Sequence, residues 1–92
     1  MILKIDNVKE FLISLEGWVF EHNIIYKEYT FKYYMESIQF IQSLAKEAEK
    51  HNHHPDMVVG WCKIKVSFTS HDEGGVTEKC IAMARATEKI KF

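Results

Sequence analysis

With 92 residues, 47% of them hydrophobic and 13% aromatic, the chain can bury one modest core and leaves no material for a second domain, so residues 1–92 read as one unit. Twelve Lys and Arg against thirteen Asp and Glu give a net charge of -1; no basic run or stripe offers the footprint that phosphate-backbone contact needs, which argues against direct nucleic-acid binding. Lys4 and Asp6 break up the apolar residues at the start, and no later stretch is long enough to cross a bilayer, so neither a secretory leader nor a membrane span is expected and the chain reads as cytoplasmic.

Val8, Phe11, Leu12 and Leu15 recur at helical spacing, with Asp6 or Asn7 available as N-cap and Gly17 placed to stop a short first helix. From Trp18 to Thr30 the residues are rich in aromatic and β-branched types and are interrupted by Glu21-His22-Asn23, the pattern of a two-stranded hairpin. Phe31, Tyr34, Ile38, Ile41, Ala45 and Ala48 then fall three or four apart, which predicts one apolar face of a long helix running to about Lys50 or His51. Tyr33 and Phe40 lie off that face; they are either its widened margin or an exposed stripe for self-association.

Pro55, the only proline, cannot continue a helix and pushes His54 toward an extended conformation. Met57 to Trp61 predicts a third strand. Lys63, Lys65 and Ser67 alternate with Ile64, Val66 and Phe68, as in a strand with one buried and one wet face. Gly60 is expected in the connection or a bulge between the two. After a loop from Ser70 to Gly75, Thr77 is a good N-cap for a third helix carrying Cys80, Ala84, Thr87 and Ile90 on one face. The order α-β-β-α-β-β-α, with each strand pair joined by a short connection, predicts an α+β fold: a four-stranded antiparallel sheet with its helices packed on one face.

Four of the five histidines lie in two short segments, His51-Asn52-His53-His54-Pro55 and Ser70-His71-Asp72. Imidazole, with an unperturbed pKa of about 6.5, both donates and accepts protons near neutrality, so the cluster points to proton transfer or to metal binding. Adjacent histidines on an extended segment face opposite ways, so His53 and His54 can share a pocket only from different walls. No zinc-like ligand spacing is present, which ranks a metal site below acid/base chemistry. Cys62 and Cys80 are too few for a disulfide framework and lack C-x-x-C spacing, so both are expected as reduced thiols.

Glu49 to Asp56, Lys63-Ile64-Lys65-Val66 and Thr69 to Glu78 closely resemble the pterin-4a-carbinolamine dehydratase family, as do Glu16-Gly17-Trp18 and Tyr29-Thr30-Phe31-Lys32. The specific core of the resemblance is the His-His-Pro-acid segment, the Ser-His-Asp loop with Gly-Gly-x-Thr after it, and their separation. It implies conversion of 4a-hydroxytetrahydropterin to quinonoid dihydropterin without metal or organic cofactor, in a homodimer or homotetramer. It also implies roles. His53 and His71 would be the acid/base pair, His54 would bind and orient the pterin, and Glu49 would hold the histidines or a pterin nitrogen. Asn52 and Trp18 would flank the substrate, while His51 has no counterpart in the catalytic set. Animal members also bind the dimerisation segment of a homeodomain transcription factor.

Two positions depart from the family pattern. Cys80 stands where an aspartate is usual, three residues after the N-cap, so that aspartate either closes a helix cap or polarises a histidine. Met57 replaces a common aromatic. These departures motivate a second reading, a catalytically weak oligomeric pterin-binding module of the same fold.

Overall fold

A computed structural model describes residues Met1–Phe92. The chain forms α1 (Ile5–Leu12), β1 (Val19–Glu21), β2 (Ile24–Thr30), α2 (Tyr34–His51), β3 (Asp56–Gly60), β4 (Lys63–Phe68) and α3 (Glu78–Glu88). The strands make one sheet in the order β1-β2-β4-β3, with every neighbouring pair antiparallel.

His22 and Asn23 both take left-handed φ values, 51° and 65°, so β1 and β2 are joined by a two-residue turn with positive φ at both centres, the twist-matched way to close a hairpin. At the other hairpin Gly60 is the last residue of β3 and pairs with Lys63. The turn falls on Trp61 and Cys62, with Cys62 at φ 55°, so the glycine expected in the connection belongs to the strand.

The alternation in β4 sends Ile64, Val66 and Phe68 to one face, where all three are fully buried. Register places Ile25 opposite Phe68 and Tyr29 opposite Ile64, completing the inner surface. Val8 of α1, Phe40, Leu44 and Ala48 of α2, and Cys80, Ile81, Met83 and Ala84 of α3 join these strand residues in a single apolar cluster. All three helices therefore cover the same face, as the element order predicts. On the open face the Lys65 ammonium sits 4.3 Å from the centre of the Tyr26 ring.

Two expectations from periodicity are corrected. The buried face of α2 is Ser37, Phe40, Leu44 and Ala48, whereas Tyr34 is 47% exposed and Ala45 is also exposed. Phe40 is thus no surface stripe: its ring lies 4.8 Å from Tyr29, 5.2 Å from Phe31 and 5.4 Å from Phe92. Side-chain volume decides the rotation of the helix, because Phe40 and Leu44 remove far more apolar area from water than Tyr34 and Ala45 would. The first helix begins after Lys4; Asp6 lies inside its first turn, where a carboxylate suits the helix dipole, and Leu15 is buried beyond its end.

The C-terminal end of α3 is tied to the sheet through Glu88. Its carboxylate accepts hydrogen bonds from Tyr29 Oη, Lys27 Nζ at 2.9 Å and Trp18 Nε1 at 3.3 Å. Lys27 Nζ also donates to the Glu16 carbonyl at 3.0 Å. Gly17, at φ 87°, leaves room for that lysine, since a Cβ there would lie 2.9 Å from Lys27 Cε. Burial, reinforced by the Glu88 carboxylate, pushes the Tyr29 phenol well above its usual range. For Glu88 burial favours the neutral acid, but the hydrogen bonds from Tyr29 and Lys27, the Lys27 charge and Trp18 together hold its carboxyl below the ordinary range. Trp18→Phe removes a hydrogen bond to a charged acceptor while keeping an aromatic ring, and is expected to cost about 1–2 kcal/mol in urea unfolding.

Candidate functional site

The histidines lie where α2 hands over to β3. Asn52 ends α2 in the left-handed conformation, φ 50°, and the His53 N–H reaches back to the Ala48 carbonyl at 3.1 Å, a Schellman-type closure. This fixes His53 against the end of the sheet. Its ring stacks on Phe68, with centroids 6.1 Å apart and planes 19° apart, and its Nε2 lies 3.3 Å from Cys80 Sγ. Pro55 then keeps the chain extended into β3, so His54 faces away from His53. The His54 Nε2–H donates to the Glu49 carboxylate one turn back on α2.

His71 arrives from the loop after β4. Ser70 and Gly75 form an isolated bridge, with Ser70 N–H donating to the Gly75 carbonyl at 2.9 Å and Gly74 N–H to the Ser70 carbonyl at 2.7 Å. His71 Nε2–H donates to Asp56 Oδ2 at 3.2 Å. Asp56 is the first residue of β3 and pairs with Ser67, so strand register brings the carboxylate beside the loop.

Beneath the loop, Cys80 is fully buried. Its Sγ lies 3.8 Å from Ser70 Oγ and 3.9 Å from Thr77 Oγ1, and those two hydroxyls are 2.7 Å apart. Thr77 is the N-cap of α3, as its position predicts, but its side chain makes no cap hydrogen bond; the hydroxyl is engaged by Ser70 instead. Both cysteines are free and buried.

Burial is the main cause that lowers the His53 pKa below its ordinary value; the nearby Lys79 charge adds to it, Asp72 opposes it, and His54 and His71 lower it further. His53 is therefore neutral at physiological pH and can accept a proton. The sign for stability follows: the unfolded chain binds the proton more readily than the folded one, so this contribution is complete above about pH 6.5 and is lost as pH falls through the lower folded value. Melting temperature is expected to fall on acidification below about pH 6.5, and His53→Phe is expected to flatten that dependence.

The structure brings His53, His54, His71 and Glu49 to one end of the sheet and adds Cys80 beneath them. Asn52 shapes the α2 terminus and has no side-chain hydrogen bond to the others. Trp18 is buried, 6% exposed, and reaches the group only through Phe68, on which its ring stacks at 5.9 Å. His51 is turned away: its Nδ1–H donates to the Glu47 carbonyl at 2.9 Å. No three His, Cys, Asp or Glu side chains converge to hold a metal ion. Asp56 and Phe68 are the neighbours that sequence reasoning did not single out. The signal for Asp56 is its place as the acid of the His-His-Pro-acid segment, and that for Phe68 is its place as the buried residue that ends the β4 alternation just before the loop.

Comparison with known proteins identifies the family and the fold. The family described as pterin 4 alpha carbinolamine dehydratase matches residues 2–90. A protein of Sulfolobus acidocaldarius, provisionally named a pterin-4-alpha-carbinolamine dehydratase, is 35% identical over 91 residues, covering 99% of this chain and 100% of its own. A similarly named protein of Aquifex aeolicus is 38% identical over 85 residues, covering 92% and 86%. The crystal structure of a transcriptional coactivator/pterin dehydratase from Brucella melitensis superposes with a TM-score of 0.90 at 32% identity, covering 96% of each chain. A pterin dehydratase-like RuBisCO assembly factor of the alpha-carboxysome shares the fold, with a TM-score of 0.63 at 18% identity over 77% of this chain and 82% of its own.

Proposed function

The chain belongs to the pterin 4 alpha carbinolamine dehydratase family, and from that premise we propose that it converts 4a-hydroxytetrahydropterin to quinonoid dihydropterin and water by histidine acid/base catalysis, within tetrahydrobiopterin recycling in the cytoplasm. The observation that carries this reading is the contrast between two imidazoles. His53 is packed against Phe68 with its pKa lowered, while His71 is exposed and has the Asp56 carboxylate as partner.

Dehydration needs a base for the N5 proton and an acid for the departing C4a hydroxyl. A neutral His53 suits the first task. His71 suits the second, because Asp56 supplies a counter-charge for its protonated ring. The N5–H pair becomes the C4a=N5 π bond as the C4a–O bond breaks, and the hydroxyl leaves as water with the proton from His71. Solvent then returns both rings to their starting states. His54, held by Glu49, offers its remaining ring nitrogen to orient the pterin, with Asn52 at the edge of the site and Trp18 supporting it from behind.

A second copy of the chain is the proposed partner, as homodimer or homotetramer. Support comes from β3, which has a neighbour on one side only and exposes Val58 at 69% and Val59 at 47%, with Trp61 at 80% in the adjoining turn; an open apolar strand edge is a pairing template. A monomeric mass by light scattering at micromolar concentration would remove this part of the proposal.

The direct test of function is the decay of enzymatically generated 4a-carbinolamine with and without the purified protein. If a known dehydratase accelerates the decay and this protein does not, catalysis is excluded. Cys80 in place of a carboxylate specifically favours the alternative, a catalytically weak oligomeric pterin-binding or protein-interaction module. That reading predicts saturable pterin binding by calorimetry with no acceleration.

A further inference from the structure

The loop that carries His71 is held from two sides. From within the fold, Ser70 Oγ pairs with Thr77 Oγ1 at 2.7 Å. From outside, the segment before α1 lies across it. The Leu3 N–H donates to the Val76 carbonyl at 2.8 Å, and the Leu3 side chain packs against the apolar core. One residue earlier, Ile2 roofs Gly75: a Cβ built on that glycine would lie 3.1 Å from Ile2 Cγ2 and 3.5 Å from its Cγ1 and Cδ1. Gly75 is buried although its neighbours from His71 to Gly74 are exposed.

These contacts fall at the closing end of a short loop. Gly75 accepts the Ser70 N–H that closes it, and His71 follows Ser70 directly. Asp56 is the one hydrogen-bond partner of the His71 ring, so the orientation of the ring depends on how firmly the loop base is held. A loop residue with an exposed side chain is ordinarily mobile. A catalytic imidazole cannot be, since a displacement of about 1 Å can cost on the order of 100-fold in rate.

We infer that Ile2 and Leu3 form a strap that positions His71 for proton transfer, by pinning Gly75 and Val76 at the base of its loop. This rests on the dehydratase reading for its consequence in catalysis but not for its consequence in loop order. Ile2 and Leu3 are positioning residues; neither reaches the reacting atoms. The strap also accounts for glycine at position 75, whose φ is not left-handed and which is therefore not required by backbone conformation. Its role is to admit the Ile2 side chain.

The test uses three variants of the full chain: Ile2→Gly, Gly75→Ala and the double variant Ile2→Ala/Gly75→Ala. Nitrogen-15 relaxation on Ile2→Gly is expected to lower the order parameters of Asp72, Glu73 and Gly74 from about 0.85 toward about 0.6, and kcat is expected to fall about 10-fold with KM unchanged. Gly75→Ala forces the same base apart and is expected to lower kcat similarly, whereas the double variant, with a methyl added on one side and bulk removed on the other, is expected to recover to within about 2-fold of wild type. Order parameters unchanged in Ile2→Gly overturn the strap. Looser loops with unaltered kcat, or a double variant no better than Gly75→Ala alone, overturn the positioning role. If the wild-type protein does not accelerate dehydration at all, the functional reading fails separately, and the relaxation data alone decide whether the strap holds the loop.

Discussion

Replacing His53 with alanine is expected to lower the enzyme-dependent rate of carbinolamine dehydration by about 10²- to 10⁴-fold, the range that a positioned acid or base contributes. The reason lies in what the side chain touches. One face of the ring lies against Phe68 and one nitrogen faces Cys80, so the ring is held in a single orientation with its other nitrogen free. Its burial keeps it unprotonated, which is the state a base must have. Truncation to alanine removes the proton acceptor and opens space above Phe68 without disturbing the α2 closure, because the Asn52 turn and the His53 N–H bond to Ala48 are backbone features. Circular dichroism should therefore match wild type while turnover collapses. A loss of less than about 5-fold would assign the base elsewhere.

The second large effect is expected from Cys80→Asp. Cysteine and aspartate are close in volume, and position 80 already faces an imidazole nitrogen, two hydroxyls and the first turn of α3. A carboxylate there would accept from His53 Nε2–H and from whichever of the Ser70 and Thr77 hydroxyls is not donating to the other, and would sit in the favourable field of the helix N-terminus. The carboxylate beside Nε2 would stabilise the protonated ring of the proposed base, while the hydroxyl and the helix N-terminus keep that carboxylate ionised, so turnover is expected to rise about 10-fold or more. The carboxylate also raises the His53 pKa, and the acid limb of the pH–rate profile is expected to move up by about 1–2 pH units. Unchanged turnover together with an unmoved acid limb would show that residue 80 acts on helix packing alone. Increased melting temperature without either change would lead to the same conclusion.

Most of the architecture was legible because its signals were local. The alternation from Lys63 to Phe68, the β-branched and aromatic run before Thr30, and Pro55 after a long apolar period each correspond to one element. The rotation of α2 was not legible, because three- and four-residue spacing fits both the Tyr34/Ile38/Ala45 line and the Ser37/Phe40/Leu44 line. Tertiary packing chose the second when the Phe40 ring met Tyr29, Phe31 and Phe92. The histidines could be grouped from their clustering and the turn-forming residues around them. Their partners could not. Asp56 reaches His71 through the β3–β4 register, and Trp18 lies behind Phe68 instead of beside the histidines, because both facts depend on pairings between segments far apart in sequence.

Strand β3 has its first residue, Asp56, at the histidines and one side unpaired along its length. Any strand that completes that side restrains the same five residues that hold the carboxylate beside His71. A ligand engaging His71 restrains them from the Asp56 end. Thermodynamic reciprocity then links the two events: whatever factor assembly contributes to ligand affinity, ligand contributes to assembly. If a second copy of the chain supplies that strand, the concentration of the protein itself becomes a control variable for its occupancy, with the bare strand edge as the connecting element.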